Sequence, residues 1–161
     1  QHKKLESLLE VLDSLPHSYC LVLVGSGDDS YVSSLKRYLG EERVFFEGYK
    51  NIDELGDYYS LADFVVLPGL GGLSINQAMA FGVPVLCSKA DGGEKDLVIN
   101  GKTGFIYQNV PDLINFIENQ SKDDWARLGK AAEHLIYSDF SLKKMASNFL
   151  KLMKNSLNTK I

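Results

Sequence analysis

The chain has 161 residues, 45% of them hydrophobic and 24% charged, which is the size of one compact domain with apolar material for one core. Its formal net charge of −4 comes from interspersed signs, so it offers no basic stripe for a nucleic-acid backbone, and no segment approaches the roughly 20 apolar residues of a membrane span. Two cysteines, the lack of metal-like Cys/His spacing and the lack of a signal peptide at the start point to a reducing, cytoplasmic setting.

Leu5, Leu8, Leu9 and Leu12 recur at helical spacing, and Leu21-Val22-Leu23-Val24 is a continuous apolar run that stops at Gly25-Ser26-Gly27. Helix, buried strand and loop are expected there. Tyr31, Val32, Leu35 and Leu39 mark a second amphipathic helix closed by Gly40, and Val44-Phe45-Phe46 makes a short strand before Gly48. Asn51 with Glu54 three residues on has the form of a capping box, opening a helix that leads to the strand Phe64-Val65-Val66-Leu67 and the bend Pro68-Gly69. A short helix from Leu73 to Phe81 with Gly82 at its C-cap is followed by the strand Val83-Pro84-Val85-Leu86-Cys87, and Gly104-Phe105-Ile106-Tyr107 is a fifth. Cys20 and Cys87 each fall in an apolar, strand-like run, where a buried small hydrophobe is the ordinary role. Three helices are expected at the end, over 110–119, 123–137 and 142–157. The last carries Leu142, Met145, Ala146, Phe149 and Met153 on one face, read as core packing.

Strands apolar on both faces and separated by helices need cover on both sides. The fold class is therefore α/β: one doubly wound, Rossmann-like parallel sheet of five or more strands, in a single domain over 1–161. In such sheets ligands sit beyond the carboxyl ends of the strands, which directs attention to four glycine-rich loops expected at one edge: Gly25-Ser26-Gly27, Gly48-Tyr49-Lys50, Pro68-Gly69-Leu70-Gly71-Gly72 and Ala90-Asp91-Gly92-Gly93. The first is a weak signal alone, since tight turns use glycine whatever they bind. The third strips side chains from a loop that leads directly into a helix, presenting backbone N–H groups and a positive dipole end to an anion such as a diphosphate. His2, His17 and His134 lie away from these loops and read as surface residues. The glycine pattern lacks the third glycine of the dinucleotide fingerprint and no phosphate-loop Gly-Lys-Ser/Thr follows a strand, which excludes kinase-like and NAD-dependent chemistry.

The order of these loops resembles a known family. Leu23-Val24-Gly25-Ser26-Gly27, Val44-Phe45-Phe46-Glu47-Gly48, Leu55 and Tyr58 through Ala62-Asp63 to Val66-Leu67-Pro68, Gly72-Leu73, Ala78-Met79-Ala80, Gly82-Val83-Pro84-Val85, Gly92-Gly93 with Asp96, and Gly101-Lys102-Thr103-Gly104 together resemble the C-terminal domain of group 1 glycosyltransferases, family 4, of the GT-B fold. The resemblance implies binding of a nucleotide-diphosphate sugar, such as a UDP- or GDP-sugar, and transfer with retention of configuration to a glycan or lipid-linked acceptor. No metal or other cofactor is implied. It assigns the donor's base to the neighbourhood of Gly48, Tyr49 and Lys50, its phosphates to the Gly72-Leu73 backbone and Lys3, and its sugar end to Gly92 and Gly93; Gly25, Gly27, Gly69, Gly71 and Gln77 complete the expected donor site. It also implies an acceptor-binding N-terminal domain and a first strand ahead of Gln1, peripheral association with the inner membrane face through that domain, and no turnover by this chain alone.

Two departures qualify the assignment. The family's two glutamates, eight positions apart, are replaced here by Gly69 and Gln77. Gln77 keeps an acceptor for ribose hydroxyls but loses charge assistance, and Gly69 offers no side chain. The alternative reading is accordingly a nucleotide-binding or protein-interaction module derived from the same fold without catalysis.

Overall fold

A computed structural model describes residues 4–36, 42–69, 71–89 and 92–158. Helices and strands alternate as α1 (Glu6–Ser14), β1 (Leu21–Val24), α2 (Asp29–Lys36), β2 (Val44–Gly48), α3 (Ile52–Leu61), β3 (Val65–Leu67), α4 (Leu73–Ala80), β4 (Val85–Ser88), α5 (Glu94–Leu97) and β5 (Gly104–Tyr107). The helices α6 (Val110–Glu118), α7 (Lys122–Asp139) and α8 (Leu142–Asn158) close the chain. The capping box of α3 forms as its sequence signature indicates: the Asn51 side chain accepts from the Asp53 and Glu54 N–H groups at 3.0 and 3.1 Å, and Glu54 reaches back to the Asn51 N–H at 3.0 Å. β4 begins at Val85, one residue after Pro84, which has no N–H to give a ladder.

Every strand pairing is parallel, as the continuous apolar runs require, but the five strands form two sheets where one was expected. β1 pairs with β2, and β4 lies between β3 and β5. No ladder joins β1 to β3 among the described residues. What unites the sheets is α1. Its Leu8 and Val11 pack with Leu86, Phe105, Leu113 and Trp125, whereas Leu9 and Leu12, the neighbouring positions on the helix, pack with Leu35 and Val44. One helix thus covers both sheets from the same side.

The other side of β4 faces Ile75, Ala78 and Met79 of α4 and Ala132 and Ile136 of α7. Val85 and Cys87 point there while Leu86 points to the α1 side. Burial on both faces explains why this strand is apolar at consecutive positions. β1 and β2 are covered on one face only: Val22, Val24 and Phe45 remain exposed, because α2 joins α1 on the covered face and α3 buries none of its residues.

Two expectations from the sequence are corrected. Cys20 is exposed, because β1 pairing starts one residue later, where the Leu21 N–H donates to the Arg43 carbonyl at 2.7 Å. Cys87 is buried, and its thiol is pushed up to about 12 by burial and then by Glu94. One thiol should therefore react with a disulfide reagent in the native protein and two after unfolding; two fast thiols in the native state would contradict the packing of β4. The second correction concerns α8. Its apolar stripe is solvent-exposed, not core, since no described element lies over it. The α7 stripe does pack inside, through Trp125, Leu128, Ala132 and Ile136.

Candidate functional site

The carboxyl ends of β1 and β2 are tied together. The Gly25 N–H donates to the Gly48 carbonyl at 2.8 Å, and both residues have positive φ, +140° and +68°, so backbone geometry by itself calls for glycine at these two turns. Gly27 differs: its backbone is ordinary, and a Cβ there would make normal contact with Val32 at 3.5 Å.

Just before Gly48 the β1–β2 register slips, pairing Leu23 with Phe46 and Val24 with Gly48. Glu47 is the extra residue, and the bulge aims its side chain at α3. There the Tyr58 hydroxyl donates to the Glu47 carboxylate at 2.7 Å, and the Lys50 ammonium lies 3.5 Å from the same oxygen and 5.3 Å from the centre of the Tyr58 ring. The Tyr58 hydrogen bond, with Lys50 second, holds the Glu47 carboxyl below its usual range. Tyr58 and Glu47 in turn raise the Lys50 ammonium. Lys50 is therefore a clamped cation whose charge is largely answered by Glu47, not a mobile one reaching for phosphate. Its neighbour Tyr49 is 74% exposed, which leaves its ring accessible for stacking.

The second group of predicted residues lies after β3. Gly71 is closely packed, since a Cβ there would fall 2.7 Å from Ile75 Cδ1. Gly72 is the N-cap of α4, at φ +56° and ψ −142°, and no side chain caps the helix. The first-turn N–H groups of α4 thus point out of the sheet edge with the positive end of the helix dipole behind them. Leu73 is 78% exposed beside them. Gln77 stands one turn later on the same side of α4, half-buried. Gly69 lies in the bend between β3 and this helix.

After β4, Gly92 and Gly93 lead into α5. Neither has a positive φ, so glycine is not demanded there by the backbone. The loop is held by a residue the sequence analysis passed over: Glu94 is 3% exposed, and both its carboxylate oxygens accept from the Gly92 N–H at 3.1 Å. A carboxylate directly after a Gly-Gly pair, three residues before the apolar Leu97-Val98, was the available signal. Lys3 lies outside the described residues. The structure joins Gly25 with Gly48, and gathers Gly71, Gly72, Leu73 and Gln77 at one helix start; no hydrogen bond links the two groups among the described residues. Nor do three His, Cys, Asp or Glu side chains come together as metal ligands among those residues.

The family described as glycosyl transferases group 1 matches residues 1–135. The chain belongs to that family. Among its relatives, the sulfoquinovosyl transferase SQD2 of Arabidopsis thaliana is 32% identical over 140 residues, covering 81% of the chain and 27% of the relative. Sucrose-phosphate synthase from Thermosynechococcus elongatus superposes with a TM-score of 0.82 at 26% identity, covering 99% of the chain and 43% of the neighbour. HepE of Anabaena, solved in complex with UDP, gives 0.78 at 26% identity, covering 96% and 46%. The chain thus spans less than half the length of these three proteins. With such neighbours the doubly wound α/β architecture is that of a Rossmann-like domain of the GT-B glycosyltransferases. No helix among the described residues is long and apolar enough to cross a membrane.

Proposed function

We propose that this domain binds a nucleotide-diphosphate sugar and that, within a longer protein supplying an acceptor-binding domain, it takes part in retaining transfer of that sugar to a glycan or lipid-linked acceptor. The observation that carries the reading is the uncapped start of α4 behind Gly72, at the carboxyl end of a parallel sheet. A diphosphate seated there satisfies the first-turn N–H groups without a metal. Tyr49 then offers a stacking face for the base, Gln77 an acceptor for the ribose, and the Glu94-braced loop at Gly92 and Gly93 borders the sugar. Lys3 completes the phosphate contacts in this reading. The solved complex of HepE with UDP supports a uridine nucleotide.

The open edges of β1 and β3 support the two-domain reading as well. Tyr19 and Leu21 on one side and Phe64 and Val66 on the other pack against the same core cluster under α1. We assign this place to a further parallel strand, entering from a preceding segment of the protein.

Calorimetric titration with UDP, GDP and ADP tests the donor site. At least one should bind, and Gln77→Glu should tighten it by about 1 kcal/mol, because a charged acceptor makes stronger hydrogen bonds to ribose hydroxyls than a neutral one. Absence of binding by all three would defeat the proposal. The second reading, a binding module without catalysis, is favoured by one feature, the absence of a side chain at Gly69 where the family carries a carboxylate. Binding without turnover by the whole protein would select it.

A further inference from the structure

The turn between β2 and α3, from Glu47 to Asn51, is fixed at both ends and in the middle. The Gly48 carbonyl accepts from the Gly25 N–H at 2.8 Å, and Asn51 is locked into the capping box of α3. Between them Lys50 is held on Glu47 at 3.5 Å, and Glu47 is held in turn by the Tyr58 hydroxyl at 2.7 Å. Tyr58 follows the N-cap Asn51 by about two turns on the same side of α3, so the helix reaches back over the turn that precedes it. Tyr49 is the one side chain of the stretch that makes no hydrogen bond, ion pair or ring contact among the described residues. The Glu47–Tyr58 tie is not what keeps α3 on the domain. The next residue, Tyr59, does that: its ring stacks on Phe81 at 5.2 Å and packs against the core around Ile75 and Met79. The Glu47 and Lys50 side chains keep 36% and 20% of their surface in water, where an ion pair contributes little to stability. What the tie fixes is the orientation of the turn.

We infer that Glu47 and Tyr58 are positioning residues for the base of the nucleotide: they hold the Gly48-Tyr49-Lys50 turn in the form that presents the Tyr49 ring as a stacking platform. The inference rests on the donor-site reading above and adds to it two side chains that prepare the base subsite without touching the base. An exposed ring next to Gly48, at φ +68°, would otherwise sample many orientations, and binding would have to give them up. If the turn held its binding form only about a tenth of the time, the apparent dissociation constant would rise about ten-fold. The Tyr58 hydroxyl suits the task because an O–H donating to a carboxylate makes a short, strong hydrogen bond. Lys50 closes the group from the side of the turn, with its ammonium 5.3 Å from the centre of the Tyr58 ring.

Calorimetric titration of the chain with UDP, and with inorganic pyrophosphate as a probe that has no base, tests it. Tyr58→Phe removes only the hydroxyl; it should weaken UDP about ten-fold and leave pyrophosphate and the circular dichroism unchanged. Tyr49→Ala should also weaken UDP and spare pyrophosphate. Once Tyr49→Ala is in place, Tyr58→Phe should cost UDP nothing further, because Tyr58 acts through that ring. Amide exchange reads the turn without any nucleotide: in Tyr58→Phe the N–H groups of Tyr49 and Lys50 should exchange faster, while those of Asp53 and Glu54, which donate to Asn51, keep their protection. Equal losses for UDP and pyrophosphate, additive losses in the double variant, or unchanged exchange at Tyr49 and Lys50 would overturn the inference. UDP binding indifferent to Tyr58→Phe would overturn it alone, whereas a wild-type chain that binds none of UDP, GDP and ADP would remove the donor-site reading and this inference with it.

Discussion

Replacing Gly129 by alanine should lower the unfolding free energy by about 3 kcal/mol, read as a shift of the guanidinium midpoint. Gly129 lies inside α7, where alanine is ordinarily the better helix residue. Here its Cβ would stand 1.9 Å from the Gly82 carbonyl oxygen, 2.9 Å from that carbonyl carbon and 3.3 Å from Pro84. The obstacle is backbone, so no rotamer change relieves it. Gly82 cannot easily withdraw either: it sits at φ +71°, donates to the Met79 carbonyl at 3.0 Å, and is followed by the Val83 N–H donating to Ala78 at 3.0 Å. Moving α7 instead would pull Leu128 and Ala132, both fully buried, out of the core. Gly56→Ala is the control. In the middle of α3 its Cβ meets only the Phe81 ring edge at 3.4 Å, so the same substitution should stabilise by up to about 1 kcal/mol. Equal effects at the two sites would mean that α7 does not rest on the Gly82 turn.

If the donor's diphosphate binds at the start of α4 as proposed, Gly72→Val should reduce nucleotide affinity at least about ten-fold, the cost of a branched side chain forced to positive φ in front of the first-turn N–H groups. Space is not the reason, since a Cβ at Gly72 meets nothing within 4 Å. The harm comes from the backbone at φ +56°, which a β-branched residue adopts rarely, and from what the side chain then covers. Stability should fall by only about 1–3 kcal/mol, the usual cost of one strained residue. The two readouts separate the roles: a variant that remains folded and loses the nucleotide places the diphosphate at α4, whereas unchanged titration curves would move it elsewhere.

Much of this was legible in the residues. Continuous apolar runs such as Val85-Leu86-Cys87 called for strands covered on both faces, as β4 is, and Asn51 with Glu54 announced a helix start that forms with both reciprocal bonds. These are signals carried within a few residues, through periodicity, capping and turn chemistry. The loops after the strands followed from them, and with them the region where Gly25 meets Gly48 and where Gly72 opens α4.

Other features depend on pairs far apart in the chain, and no local signal encodes them. The bulge that turns Glu47 toward Tyr58 depends on how β1 and β2 slip past each other, so the clamping of Lys50 could not be read from Gly48-Tyr49-Lys50. The burial of Glu94 likewise depends on the loop that folds its carboxylate onto the Gly92 N–H. The sheet divided in two because β1 and β3 found no ladder between them, and apolar residues on β1 that implied two-sided cover received it on one side. The stripe of α8 makes the same point. Periodicity determined by itself that the helix is amphipathic, since that follows from spacing alone; whether the apolar side faces a core or solvent is decided by what packs over it, and only the tertiary arrangement leaves it bare.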